Sequence, residues 1–241
     1  MYDGLETDLS FEYLKKIIEE SKGLKIGVIG GWAVYFYINE NYKNAFGTDY
    51  LKSRDIDLYI NSAYALKFKS IIDKLGFKKS SYYFRYELVY DRETKQVITE
   101  ESAKKKPVYN LVYVFLDLFT NKKTDLNAWI FKELDNAKIY VINNFPVIDI
   151  NTLLKLKVLS FFEREKLDKE LKDACDIYSL LVYSNVRFKF DVELKKAAEK
   201  IINRVDICDF IAENVLKDIL KAGIVKAILL NIISGKNIKR I

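Results

Sequence analysis

Near residue 150 the sequence changes its period, and that change restricts the fold more than any other feature. Before it, "LKIGVIGG", "DIDLYI", "YYFRYELVYD", "VYNLVYVFLDLF" and "AKIYVINNFPVIDI" read as short strands bounded by turn residues. Beyond Asn151 strand signals stop, and "NTLLKLKVLSFFEREK", "DKELKDACDIYSLLVYS", "DVELKKAAEKIINRV", "CDFIAENVLKDILK" and "IVKAILLNII" all carry helical spacing. The expected class is therefore α+β: a mixed sheet flanked by helices over residues 1–150, then a helical bundle over 151–241. Within the first part, Asp8 or Ser10 is expected to cap a helix running to about Ser21, and "WAVYFYINE" to form a second directly after Gly30 and Gly31. A third is expected at about Ala63 to Leu75. "NENYKNAFGTDYLKSR" reads as a polar, turn-rich connection, and "RETKQVITEESAKKKP", Arg92 to Pro107, as an exposed loop or long hairpin tip.

With half of its 241 residues hydrophobic, 17 tyrosines, 15 phenylalanines and only two prolines, the chain has the composition of an ordered globular protein. No stretch reaches the ~18 to 20 uncharged apolar residues of a membrane span, and the N-terminus lacks the basic start and apolar core of a secretory signal. No membrane association and a cytoplasmic location are expected. There is no histidine, and Cys175 and Cys208 are the only cysteines, which argues against zinc sites, imidazole bases and, in that compartment, a disulfide. Carboxylate, lysine, tyrosine and hydroxyl chemistry remains. Lysine plus arginine exceed aspartate plus glutamate by 40 to 34, a modest excess compatible with a phosphate-bearing partner.

The stretch "SRDIDLYI" sets Asp55 and Asp57 two apart in an apolar segment. In a strand such residues project from one face, where like charges repel unless a cation sits between them. A divalent metal is the simplest remedy, and hard oxygen ligands suit Mg²⁺ or Mn²⁺. Asp117 in "VYVFLDLF" is again the lone charge of an apolar strand, and pairing of the two strands would bring all three carboxylates to one two-metal site. On this reading, removing Asp55 or Asp117 relieves crowded charge and leaves the melting temperature equal or higher. Gly30 and Gly31 leave the first amides of the following helix open to a phosphate. "GVIGGW" is neither G-x-G-x-x-G nor a Walker loop.

Taken together, "VIGGWAV", "SRDIDLYI" and "VFLDLF" resemble the core of the DNA polymerase β type nucleotidyltransferase superfamily, most closely its AbiEii-like and minimal members, in which a Ser or Thr precedes the first aspartate by two as Ser53 does. The resemblance implies a nucleotidyltransferase-fold sheet, two divalent metals on Asp55, Asp57 and Asp117, and a triphosphate at Gly30 and Gly31. It extends through "LLKLKVLSFF" and "LKDACDIYSL", implying that Lys157, with Lys155 as the alternative, and Lys172, Asp173 and Asp176 line the nucleotide or acceptor site. It covers about residues 24 to 182. This chain departs from the pattern in the 55 − 31 = 24 positions from Gly31 to Asp55, which implies an inserted loop at about 39 to 52, in glycine where many members have serine, and in an insertion from Arg92 to Lys106.

The implied reaction is transfer of a nucleoside monophosphate from a nucleoside triphosphate to an acceptor hydroxyl, with release of pyrophosphate. The basic excess and the loop lysines Lys104, Lys105 and Lys106 would suit a tRNA end or another RNA. Small molecules and protein hydroxyls are acceptors elsewhere in the superfamily, and a toxin role beside an antitoxin partner follows by analogy. The rival reading is a non-catalytic protein that keeps the fold to bind a nucleotide or RNA.

Overall fold

The computed structural model describes residues 3–122, 130, 133–134 and 136–236. The chain divides into two compact units, residues 1–33 with 51–148, and residues 34–50 with 149–241.

The first unit is built on a mixed sheet. Its strands are β1 (Ile26–Ile29), β2 (Ile56–Ile60), β3 (Lys78–Lys79), β4 (Arg85–Asp91), β5 (Gln96–Ile98), β6 (Leu111–Thr120), β7 (Ile139–Ile142) and β8 (Phe145–Ile148). They lie in the order β3-β4-β6-β2-β1-β8-β7, with β5 on β4. β2 runs parallel to β6 and β1 parallel to β8; the remaining pairs are antiparallel. β7 and β8 form a hairpin, turned by Asn143 and Asn144, both with positive φ, the geometry that a tight two-residue turn requires. Alternation along β2 buries Ile56 and Leu58 completely and turns Asp57 to the other face.

Two helices begin or end away from their expected positions. Helix α1 (Gly4–Glu20) starts several residues early because Asp3, not Asp8 or Ser10, is its cap, accepting the Leu5 amide at 3.0 Å. Ser10 instead accepts a 2.9 Å bond from the Trp32 indole within the core. Helix α2 (Gly30–Phe46) continues well into the stretch read as a turn-rich connection and an inserted loop. Ile38 and Tyr42, one turn apart and fully buried, hold it helical. Helix α3 (Ala65–Lys74) follows a short 3₁₀ turn near its expected place. Within the span from Arg92 to Lys106, β5 folds back on β4 and Glu100–Ala103 makes one helical turn, α4.

The second unit is helical, as its periodicity predicts. It contains α5 (Ile150–Glu163), α6 (Leu167–Tyr183), α7 (Val192–Ile202), α8 (Val205–Asn214) and α9 (Ala222–Ile233). Asp149 caps α5 by accepting from the Thr152 amide and hydroxyl, at 3.0 and 2.8 Å. Helix α6 packs on α5 and α8, and α9 packs on α7. Tyr42 donates to the Val215 carbonyl at 2.8 Å, its ring among those of Tyr50 and Tyr183. The expected order of a mixed sheet with flanking helices, followed by a helical region, is therefore the order observed. Among the described residues no helix is long and apolar enough to cross a membrane.

Candidate active site

The register of three strands assembles a polar row across the sheet. Asp57 of β2 is paired with Asp117 of β6 in parallel, and Asp117 in turn with Arg85 of β4 in antiparallel fashion. Residues so paired share a face. Asp57 also lies opposite Ile29, the residue before the Gly30 turn. Asp55 sits in the bend before β2 rather than in the strand itself, which begins at Ile56. Buried Ser53 shapes that bend by donating its hydroxyl to the Asp55 carbonyl at 3.0 Å.

Gly30 carries the closest approach. Its φ is +65°, a left-handed conformation, and a Cβ there would stand 2.0 Å from the Asp57 Oδ2. No other residue type fits that turn while Asp57 keeps its place. The Asp57 carboxylate therefore lies against the first residue of α2, where the helix dipole favours negative charge. Gly31 is buried just inside the helix.

The remedy for crowded charge in this structure is a guanidinium. Arg85 grips Asp117 with a two-pronged fork, Nε to Oδ1 and Nη2 to Oδ2, both 2.7 Å, while Nη2 lies 3.8 Å from Asp55 Oδ2. Arg54 adds a 3.2 Å bond from Nε to Asp55 Oδ1. Both arginines lie over the Phe115 ring, at 4.6 Å for Arg85 and 5.6 Å for Arg54. The bond to Asp117 and the charges of Asp117, Asp55 and Asp57 outweigh burial and hold the Arg85 pKa above its ordinary value. With a cation already in place, deletion of Asp117 strands Arg85 instead of relieving repulsion, and the expected neutral or stabilising effect is revised accordingly.

Hard carboxylate oxygens suit Mg²⁺ or Mn²⁺, but their present arrangement does not fit such an ion: both Asp117 oxygens are in the Arg85 fork, and among the described residues no three metal-ligating side chains are grouped to hold one. A groove of about 330 Å³ lined by Lys69, Lys79, Phe84 and Phe119 also opens in this unit, and none of the three aspartates lines it.

No family model matches the sequence, and no curated protein matches it. Among solved structures, the chain is similar to an antigenic nucleotidyltransferase-like protein from Paracoccidioides brasiliensis, at 18% identity over 88% of this chain and 97% of that one, with a TM-score of 0.44. It is also similar to ANT(2″)-Ia in complex with adenylyl-2″-tobramycin, at 16% identity over 71% of this chain and 87% of that one, TM-score 0.44. A third similar structure is the lincosamide antibiotic adenylyltransferase LnuA with lincomycin bound, at 15% identity over 72% and 95%, TM-score 0.37. Likeness at this level leaves the function of the chain to its own side chains.

In the second unit the structure gathers Lys157, Lys172, Asp173 and Asp176 into one network. The Lys157 Nζ lies 2.9 Å from Asp173 and 2.7 Å from Asp176; Arg164 bonds Asp173 at 2.8 Å, and Tyr50 donates to Asp176 at 2.9 Å. Lys172 stands 3.4 Å from Asp176. Asp173 and Asp176 are 2% and 0% exposed and Lys157 8%, whereas Lys155 is half-buried. Burial would raise the Asp173 pKa, but Lys157 and Arg164 outweigh it and hold the carboxyl below its usual range. Burial keeps the neighbouring Cys175 thiol protonated. Of the loop lysines, Lys104 pairs with Glu100 at 3.0 Å and Lys106 with buried Asp91 at 2.5 Å, so two of the three are engaged within the first unit.

Sequence reasoning missed Arg85 and Arg54. The signal for Arg85 was present, since it interrupts "YYFRYELVY" much as Asp117 interrupts its own strand.

Proposed function

We propose that the chain is a nucleotidyltransferase that moves a nucleoside monophosphate from a nucleoside triphosphate to an acceptor hydroxyl, with Asp55, Asp57 and Asp117 as its acidic centre. The observation that carries this reading is the pairing of Asp57 with Asp117 on adjoining strands, beside the left-handed Gly30 turn that opens α2. The acceptor oxygen forms the new bond to the α-phosphorus as the bond to the pyrophosphate oxygen breaks. The acceptor proton passes to a carboxylate, for which Asp117 is the candidate. Amides at the start of α2, at Gly30 and Gly31, receive phosphate oxygens. Positioning and charge neutralisation suffice for such a transfer without a covalent intermediate, so a chain lacking histidine can perform it. Mg²⁺ or Mn²⁺ is the cofactor that the resemblance implies, although the present arrangement of the three aspartates does not fit such an ion.

One observation favours a second reading. Arg85 already neutralises Asp117, as it would in a protein that binds a nucleotide or RNA without turning it over. The test is incubation with each α-labelled nucleoside triphosphate and an extract containing RNA, protein and small molecules. Label is expected on one class of acceptor with the wild type and on none with Asp57→Asn. Nucleotide binding that needs no divalent metal, with no labelled acceptor, would establish the binder instead.

A further inference from the structure

We propose that the groove bounded by α3, β3, β4 and β6 is a binding site for a small aromatic phosphate, its ring laid on the aromatic wall and its phosphate held by Lys69 and Lys79. The site belongs to the first unit alone: α3 supplies Lys69, β3 supplies Lys79, and β4 and β6 supply Tyr86, Leu118 and Phe119. Tyr86 and Leu118 stand one position along their strands from Arg85 and Asp117 and so turn to the other face, and none of the three aspartates lines the groove. Its volume of about 330 Å³ falls at the small end of the ~300 to 1,000 Å³ typical of small-molecule sites.

Charge and shape select the ligand. Among the described residues that line the groove, the charged side chains are Lys69 and Lys79. Asp73, outside the lining, bonds Lys69 at 2.5 Å, whereas Lys79 donates to the Tyr83 carbonyl and lies 4.4 Å from the centroid of the Tyr86 ring, both uncharged. One positive charge is left uncompensated, and partial burial together with the charge of Lys69 lowers the Lys79 pKa from its ordinary value. An anion between the two ammonium groups removes that conflict. A phosphate suits it, since lysine binds phosphate as a point charge and three acceptor oxygens can serve both ammonium groups and the hydroxyl of Thr120. Beside the cations, Phe84 and Phe119 stack with ring centroids 5.7 Å apart and planes 19° apart, and Tyr83, 42% exposed, stands edge-on to Phe84 at 5.0 Å. A planar ring extends this cluster while its phosphate reaches the lysines. A merely solvated pair of lysines would hold inorganic phosphate as strongly and would gain nothing from a ring.

The test uses the full chain and phenyl phosphate, with inorganic phosphate and phenol as arms that carry only the anion or only the ring. Isothermal titration is expected to show phenyl phosphate binding at least tenfold tighter than either. Lys79→Met is expected to weaken that binding about tenfold, and Phe119→Leu about fivefold. A second measurement needs no variant. An anion favours the charged lysine, so phenyl phosphate is expected to move the Lys79 titration, followed at its side-chain Cε–H resonance, to higher pH. Equal binding of inorganic phosphate and phenyl phosphate overturns the proposal, as does full affinity in a folded Lys79→Met chain. A Lys79 titration that phenyl phosphate leaves unmoved, with the Gly30 and Gly31 amides shifting instead, would put the phosphate at the start of α2 and likewise remove this site.

Discussion

Two of the clusters of aspartates and cations among the described residues differ in how completely they are closed. In the second unit, Asp173 and Asp176 are almost wholly buried and hold Lys157 between them, with Arg164, Lys172 and Tyr50 supplying further bonds. In the first unit, Arg85 serves two aspartates, grips one at 2.7 Å and stands off the other at 3.8 Å, beside an exposed tyrosine. A sealed, many-bonded network costs desolvation and fixes geometry; a partly exposed one costs less of both. Similar residue types thus make a sealed network in one place and a partly exposed one in the other.

The largest test of that contrast is Lys157→Met. Removing the cation from two buried carboxylates is expected to cost about 3 to 5 kcal/mol in chemical denaturation, and added Mg²⁺ should restore none of it. Full stability in this variant would dissolve the distinction between the clusters. Asp117→Asn comes next, with an expected loss of about 1 to 3 kcal/mol as Arg85 loses the carboxylate that it grips with both prongs. A melting temperature equal to or above that of the wild type would show that the first cluster is crowded after all. The smallest effect at neutral pH is expected from the titration of Asp173 itself. A carboxyl held low in the folded state contributes stability that is present above its ordinary value of 3.8 and lost as pH falls further, through the folded value. Stability should therefore drop below about pH 3.8, and less steeply in Asp173→Asn.

Much of this was legible in the sequence because the signals were local. A lone charge in an apolar strand has few ways to be accommodated, so Asp57 and Asp117 could be expected to face each other, and the pairing of β2 with β6 brings them side by side. Gly30 could be read as the corner, though not as the seat of Asp57, since that contact depends on the pairing of β1 with β2. Arg85 was hidden for the same reason: which residue of β4 meets Asp117 is fixed by register over seven paired positions, and no short motif encodes it. The length of α2 escaped because its last turns are polar, and the burial of Ile38 and Tyr42 that holds them is tertiary. The inward position of Lys157, as against Lys155, likewise follows from the packing of α5 on α6.

The missing side chain at Gly30 ties two positions to one another. An α-carbon bearing only hydrogens lets the Asp57 carboxylate rest against the main chain at the mouth of the helix, so any larger residue there would have to push that carboxylate aside or unwind the corner, and the two positions can change only together.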